Sequence, residues 1–274
     1  MKSQILAISI VLAFAAGSVY GVVMPEAEAA EGPADAFFMS SWTIGPQISS
    51  FHYEEPGLME EDGVLYGVVA SATRFLQTSE SRDMLLRLEG GIAAGEVDYD
   101  GVLMDGTPYK ADGNNDILAN ARLLWGCVWH DEVCSNHVYA GLGYRYLGDD
   151  SSDDPTGYKR HSNYFYLPVG YERGHKLSEG WYLGLGAEID LLLFGLQRSE
   201  LFGGGYEPIR NDQDFGSGYG LRGTVEIRHQ GKNLDMSVAP FIQYWWVDDS
   251  DVDHGFYEPE NNSTQIGVDL IFYF

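Results

Sequence analysis

Alternation with a period of two constrains this chain more than any other feature. It recurs in about ten segments, at 40–53, 64–76, 84–97, 116–129, 137–147, 161–173, 180–195, 216–229, 234–247 and 264–274. Successive side chains of a strand point to opposite faces, so each segment carries one apolar and one polar face. In the seventh, Trp181, Leu183, Leu185, Ala187, Ile189, Leu191 and Leu193 oppose Tyr182, Gly184, Gly186, Glu188 and Asp190. In the eighth, Tyr219, Leu221, Gly223, Val225 and Ile227 oppose Gly220, Arg222, Thr224, Glu226 and Arg228. These segments exceed the usual strand of about 5–6 residues and suit the roughly 9–11 residues that cross a bilayer at a tilt.

Two folds fit such a pattern: a soluble barrel with its apolar face inward, or a membrane barrel with that face outward. The polar face decides. It is rich in Gly and alternates Arg with Glu, as a narrow lumen would, whereas a solvated exterior would carry more Lys, Thr and Ser. Trp, Tyr and Phe gather near segment ends, where an interfacial girdle sits. The 34 glycines among 274 residues argue against a helical bundle. Sixteen Lys and Arg against 41 Asp and Glu, a net charge of -25, argue against nucleic acid as a partner.

Short connections (77–83, 130–136, 174–179, 230–233) alternate with long ones (54–63, 98–115, 148–160, 196–215, 248–263). That is the habit of an up-and-down antiparallel transmembrane barrel with short periplasmic turns and longer external loops. An even strand number places both termini in the periplasm. Segments 64–76 and 84–97 mix Ala, Gly and Val on both faces, so eight or twelve strands also satisfy the pattern.

Residues 1–29 read as a signal peptide, with Lys2 before an apolar run from Ile5 to Ala16, and Ala27-Glu28-Ala29 before a cut at Ala30. A cut after Gly21 fits as well, and an uncleaved anchor is the alternative. Residues 30–274 then form one all-β domain of the bacterial outer membrane.

The chain ends Leu270-Ile271-Phe272-Tyr273-Phe274. A terminal Phe with apolar residues two and four positions earlier resembles the assembly signal of bacterial outer-membrane β-barrel proteins. The resemblance implies that the barrel-assembly machinery reads Leu270, Phe272 and Phe274, with outer-membrane lipid as the second partner. The stretch from Tyr158 to Gly170, YKRHSNYFYLPVG, resembles the small, mostly uncharacterised barrels of the OmpA/OmpX-like porin superfamily. That resemblance implies fold and location, and no reaction.

The face assigned to the lumen holds Arg87, Arg122, Arg145, Arg222 and Arg228, with Glu89, Glu172, Glu188, Glu226, Asp190, Asp235 and Asp269. Ionised groups in a narrow interior must pair, because an unpaired buried charge costs several kcal/mol. The expected role is a non-enzymatic envelope protein, either a structural barrel with a salt-bridged plug or a narrow channel with a charged lumen. No cofactor is expected.

Cys127 and Cys134 flank the turn between the fourth and fifth segments, and a disulfide there suits an oxidising compartment; two free thiols are the alternative. The long connections are acidic: Glu54, Glu55, Glu60, Glu61 and Asp62; Asp149, Asp150, Asp153 and Asp154; Asp248, Asp249, Asp251, Asp253, Glu258 and Glu260. They read as solvated loops, with weak binding of divalent cations or an adhesive surface as the sharper reading. A surface enzyme is the remaining alternative. Asp98-Tyr99-Asp100 resembles the Asp pair of omptin proteases, yet Asp253 and His254 are adjacent where that family has Asp-x-His. The lipid A deacylase barrels use His-x-Ser, whereas His161 and Ser162 are neighbours and face opposite ways.

Overall fold

A computed structural model describes residues 41–79, 82–102, 106–130, 133–151, 157–201, 208–231 and 234–274. The signal peptide expected over 1–29 lies outside the described residues, as do Asp153 and Asp154. The strands are β1 (Ser41–Glu55), β2 (Met59–Ser79), β3 (Arg82–Val102), β4 (Pro108–His130), β5 (Cys134–Asp150), β6 (Tyr158–Ser178), β7 (Trp181–Leu201), β8 (Ile209–Gln213), β9 (Gly218–Gln230), β10 (Asp235–Val247) and β11 (Asn261–Tyr273). From β1 to β7 each pairs antiparallel with the next, and β1 closes the ring against β11. β7 pairs with β9 through Trp181–Leu191 and with β8 through Gly195–Ser199. β8 and β9 are therefore two pieces of one interrupted wall strand, and the barrel has ten strands. We call the end carrying Ser41 and Phe274 the lower rim.

The exterior is apolar around the whole ring. Ile44, Val68, Leu88, Ile92, Leu123, Leu142, Val238 and Ile266 all face out and are exposed. Trp42 is 72% exposed and Trp125 61%. Near the upper end of this belt outward rings pack on one another: Tyr144 on Phe165 at 5.0 Å, Phe165 on Phe194 at 4.5 Å and Tyr219 near Trp246 at 5.7 Å. A continuous apolar belt of this extent is stable against hydrocarbon and not against water.

The walls rise further than alternation suggests. The residues expected as external loops at 59–63, 98–102, 108–115 and 196–201 are strand. A strand of 21 residues such as β2 rises roughly 50 Å at a tilt of about 45°, against a belt of about 25 Å. Above the belt both faces are polar, with Glu60 and Asp62 outside and Glu61 inside. The solvated-loop reading therefore needs correction for Glu55, Glu61, Asp149 and Glu258, which are buried.

Alternation also fails at one point within a strand. Tyr166 pairs with Leu192 but Phe165 with Phe194, so Leu193 is an extra residue in β7. Such a bulge reverses the parity above it. Phe194 consequently faces out and Gln197 is buried inside. Two lumen glycines are covered by rings from the neighbouring strand. Gly143 pairs with Tyr166 and Gly170 with Tyr139, and a Cβ at either would lie 2.2 Å from the partner's Cζ.

Candidate functional site: the barrel interior

The interior is layered. At the lower rim it opens into a cavity of about 200 Å³ lined by Arg87, Glu89, Arg122, Glu172, Glu188 and Arg222, among others. Arg87 Nη1 and Nη2 donate to the two oxygens of Glu172 at 2.9 and 3.1 Å, a bidentate pair, and Nη1 also reaches Glu89 at 3.2 Å. Arg122 donates to Glu89 on the neighbouring strand and to Glu188 on β7, which does not adjoin β4 in the ring. Tyr139 supplies a second donor to Glu188 at 2.7 Å. His137 Nδ1 lies 3.0 Å from Glu172. These are charges satisfied mutually across a narrow lumen, as the cost of burial requires.

The other charges assigned to the lumen lie inside as well. Arg228 grips Asp235 at 2.8 and 2.6 Å and lies 3.7 Å above the Tyr273 ring, whose hydroxyl donates to Glu226. Gln47 donates to Asp269 at 2.8 Å. Arg145 donates to Ser263 on β11 at 2.9 Å, and its guanidinium lies 5.9 Å from the Tyr164 ring and 5.4 Å from the Trp245 ring. Asp190 is wholly buried, and neither of its oxygens meets a donor among the described residues. Arg222 packs over Phe241 at 5.7 Å, with no carboxylate in ion-pair range among the described residues.

Above the cavity the lumen is filled mainly with apolar side chains, with Arg145 held among them. Phe51, Tyr53, Leu65, Ala93, Val97, Leu118 and Leu147 form one buried cluster; Tyr164, Leu192 and Val247 form a second. Trp245 lies between Tyr164 at 6.4 Å and Tyr166 at 5.0 Å. Reading the inner face as Gly and charge alone missed this seal. Its members stand one or two to a strand and meet only when the ring closes.

A charged mouth stands on the seal, above the apolar belt. Its centre is Arg160, which no sequence signal singled out. Arg160 Nη1 donates to Glu55, and to Glu258 at 3.3 Å; Nη2 lies 3.3 Å from Asp149 and 3.7 Å from Glu61. Tyr53 donates to Glu55 at 3.1 Å and to Glu258 at 3.2 Å, and its ring lies 4.5 Å under the guanidinium. Gln197, brought inward by the bulge, also donates to Glu258. Burial pushes the Glu258 carboxyl up to about 7, with Arg160 pulling the other way and Glu55 adding to the rise. Burial and then the neighbouring Asp149 push Asp116 up to about 8.

The structure does not show the expected disulfide between Cys127 and Cys134. Cys127 pairs with Val138, which puts Cys134 four residues further along β5. At about 3.4 Å per residue the gap is roughly 13 Å, beyond the limit of about 7 Å between bridged Cα atoms. Cys127 is exposed on the outer face, while Cys134 is buried 3.1 Å from His175 Nδ1. The residues weighed for catalysis are dispersed. Asp98 and Asp100 point outward, Asp100 to Lys110. His254 sits at the exposed tip of a turn at φ 50. His161 meets Tyr146 outside, and Ser162 meets Gln197 inside. Leu270 and Phe272 lie on the outward face of β11, and Phe274 continues past its end, exchanging backbone hydrogen bonds with Trp42 at 3.2 and 2.9 Å.

No protein-family model matches the chain, and no curated protein matches its sequence. Solved structures that it resembles are barrels. They include the outer membrane protease OmpT from Escherichia coli (TM-score 0.48, 12% identity, 85% of this chain and 97% of that chain covered). The Pseudomonas putida toluene transporter TodX gives a TM-score of 0.35 at 11% identity, covering 89% of this chain and 92% of that chain. Neisserial surface protein A gives 0.35 at 8% identity, covering 85% and 97%. An antiparallel wall closed on itself, apolar outside and charged within, is the architecture of transmembrane β-barrels, and this chain has that fold.

Proposed function

We propose that the protein is a non-enzymatic structural component of the bacterial outer membrane, a barrel whose lumen its own side chains close. The short turns and the lower rim face the periplasm, and the tall charged mouth faces outward. Lipid is the partner of the apolar belt, and the barrel-assembly machinery would read Leu270, Phe272 and Phe274.

The observation that carries this reading is the seal of Phe51, Leu65, Leu118, Leu147, Tyr164 and Trp245 across the lumen, all of them buried. Arg145 at that level is held between the Tyr164 and Trp245 rings and tied to Ser263, so the packed layer leaves water and ions little room to pass. The dispersal of Asp98, Asp100, His161, Ser162 and His254 supports the absence of catalysis, since general acid–base chemistry needs its groups within reach of one substrate. Planar-bilayer recording of the refolded protein tests the proposal. The expected trace shows no steady conductance; steady, reproducible channel steps would replace it with the narrow-channel reading.

A further inference from the structure

Glu61, Asp116 and Asp149 offer ligand oxygens within 4.8 Å of one another. They come from three strands, β2, β4 and β5, and each is at most 1% exposed. Asp116 and Asp149 are direct cross-strand partners, an arrangement in which like charges repel. A second observation goes beyond acidity. All six carboxylate oxygens are buried and lack a hydrogen bond of good geometry; Tyr158 lies against Asp149, whereas Asp116 meets no donor among the described residues. Asp116 has no ion pair there either; Arg160 lies beside Asp149 and Glu61 but divides its charge with Glu55 and Glu258. Four carboxylates thus share one guanidinium, and Asp116 stands beside them without a cation of its own among the described residues. Leaving buried carboxylates without donors costs several kcal/mol, so something must supply the missing partner.

We propose that Glu61, Asp116 and Asp149 bind a divalent hard cation, held at the base of the mouth directly above the apolar seal. Ionised carboxylates are acceptors only, and oxygen-only donor sets suit hard cations. Position fits too. Asp116 and Asp149 lie one inward step above Leu118 and Leu147, so the floor of the site is apolar. This inference is independent of whether the barrel conducts.

The test uses the full-length barrel refolded in detergent, stripped with EDTA and titrated with CaCl₂ at neutral pH. The expected result is a thermal midpoint that climbs with the logarithm of Ca²⁺ concentration, as mass action demands of a ligand bound only by the folded state. Asp116→Asn removes a buried charge and keeps the shape, so it should fold and lose that climb. Asp149→Asn should do the same. Asp248→Asn with Asp249→Asn, exposed in the loop before β11, should keep the wild-type response. Three results overturn the proposal: no response in the wild type, which makes protons the neutralising partner; a response that survives both Asp116→Asn and Asp149→Asn; or one lost only in the loop variant. Terbium luminescence sensitised by the mouth tyrosines and displaced by Ca²⁺ gives a second readout should one variant fold poorly.

Discussion

Arg122 and Arg222 both line the lower cavity, yet only Arg122 is enclosed by carboxylates. Removing Arg122 strands Glu188 almost fully buried and leaves Glu89 to Arg87 alone. Arg122→Ala should therefore lower the thermal stability of the refolded barrel by about 3–5 kcal/mol. Arg222→Ala removes a contact with the Phe241 ring and should cost about 1 kcal/mol. Equal losses in denaturant titrations would mean that the two guanidiniums share one network. Glu258 makes a pH prediction. Its folded value, about 7, lies above the ordinary 4.5, so the folded barrel keeps a proton that the unfolded chain releases. Stability is then complete below about 4.5 and falls as pH rises to about 7, by on the order of 1–3 kcal/mol. In EDTA, the melting midpoint should fall over that range, and Glu258→Gln should flatten part of the fall. Glu61, Asp116 and Asp149 are raised as well and act in the same direction, so the difference between wild type and variant isolates Glu258.

The pairing of glycine with an aromatic ring belongs to the strand. Tyr139 covers Gly170 and cannot swing aside without losing its bond to Glu188. Gly170→Ala should cost about 1–3 kcal/mol in denaturant midpoint, as overpacking does. Pairing it with Tyr139→Ala should recover much of that loss, and strict additivity of the two would contradict the packing argument. At this scale the sequence was readable wherever lipid lay on one side. Alternation located the belt portions of all ten wall strands because the outer face there is apolar and the inner face is not. It stopped at Leu193, where the bulge exchanges the faces, and at Gly113, whose φ of 77 marks another break in register between β3 and β4. It was silent above the belt, where water bathes one side and charge fills the other. Arg160 was illegible for that reason, and Glu61, legible as an acidic residue, was read as solvated. Neither sits in an alternating run, and ring closure is what brings β2, β5, β6 and the loop before β11 together.

For the molecule as a whole, the height of the wall is the open quantity that a measurement can fix. Spin labels at Leu185 and Ile242, on the outer face of β7 and β10, should be quenched by a lipid-soluble reagent and shielded from an aqueous one. A label at Glu60, exposed on the upper outer wall of β2, should show the reverse. Lipid access at Glu60 would mean that the bilayer reaches higher than the apolar belt. The interior bonds carry a mechanical consequence. Arg122 to Glu188, Arg145 to Ser263 and Arg160 to Glu258 join non-adjacent parts of the ring at successive heights. An empty tube yields first by flattening into an oval, because a thin wall bends more readily than it stretches. Ties across the bore oppose that mode, so the barrel should behave as a braced rod, keeping a round section when the lateral pressure of the surrounding lipid changes.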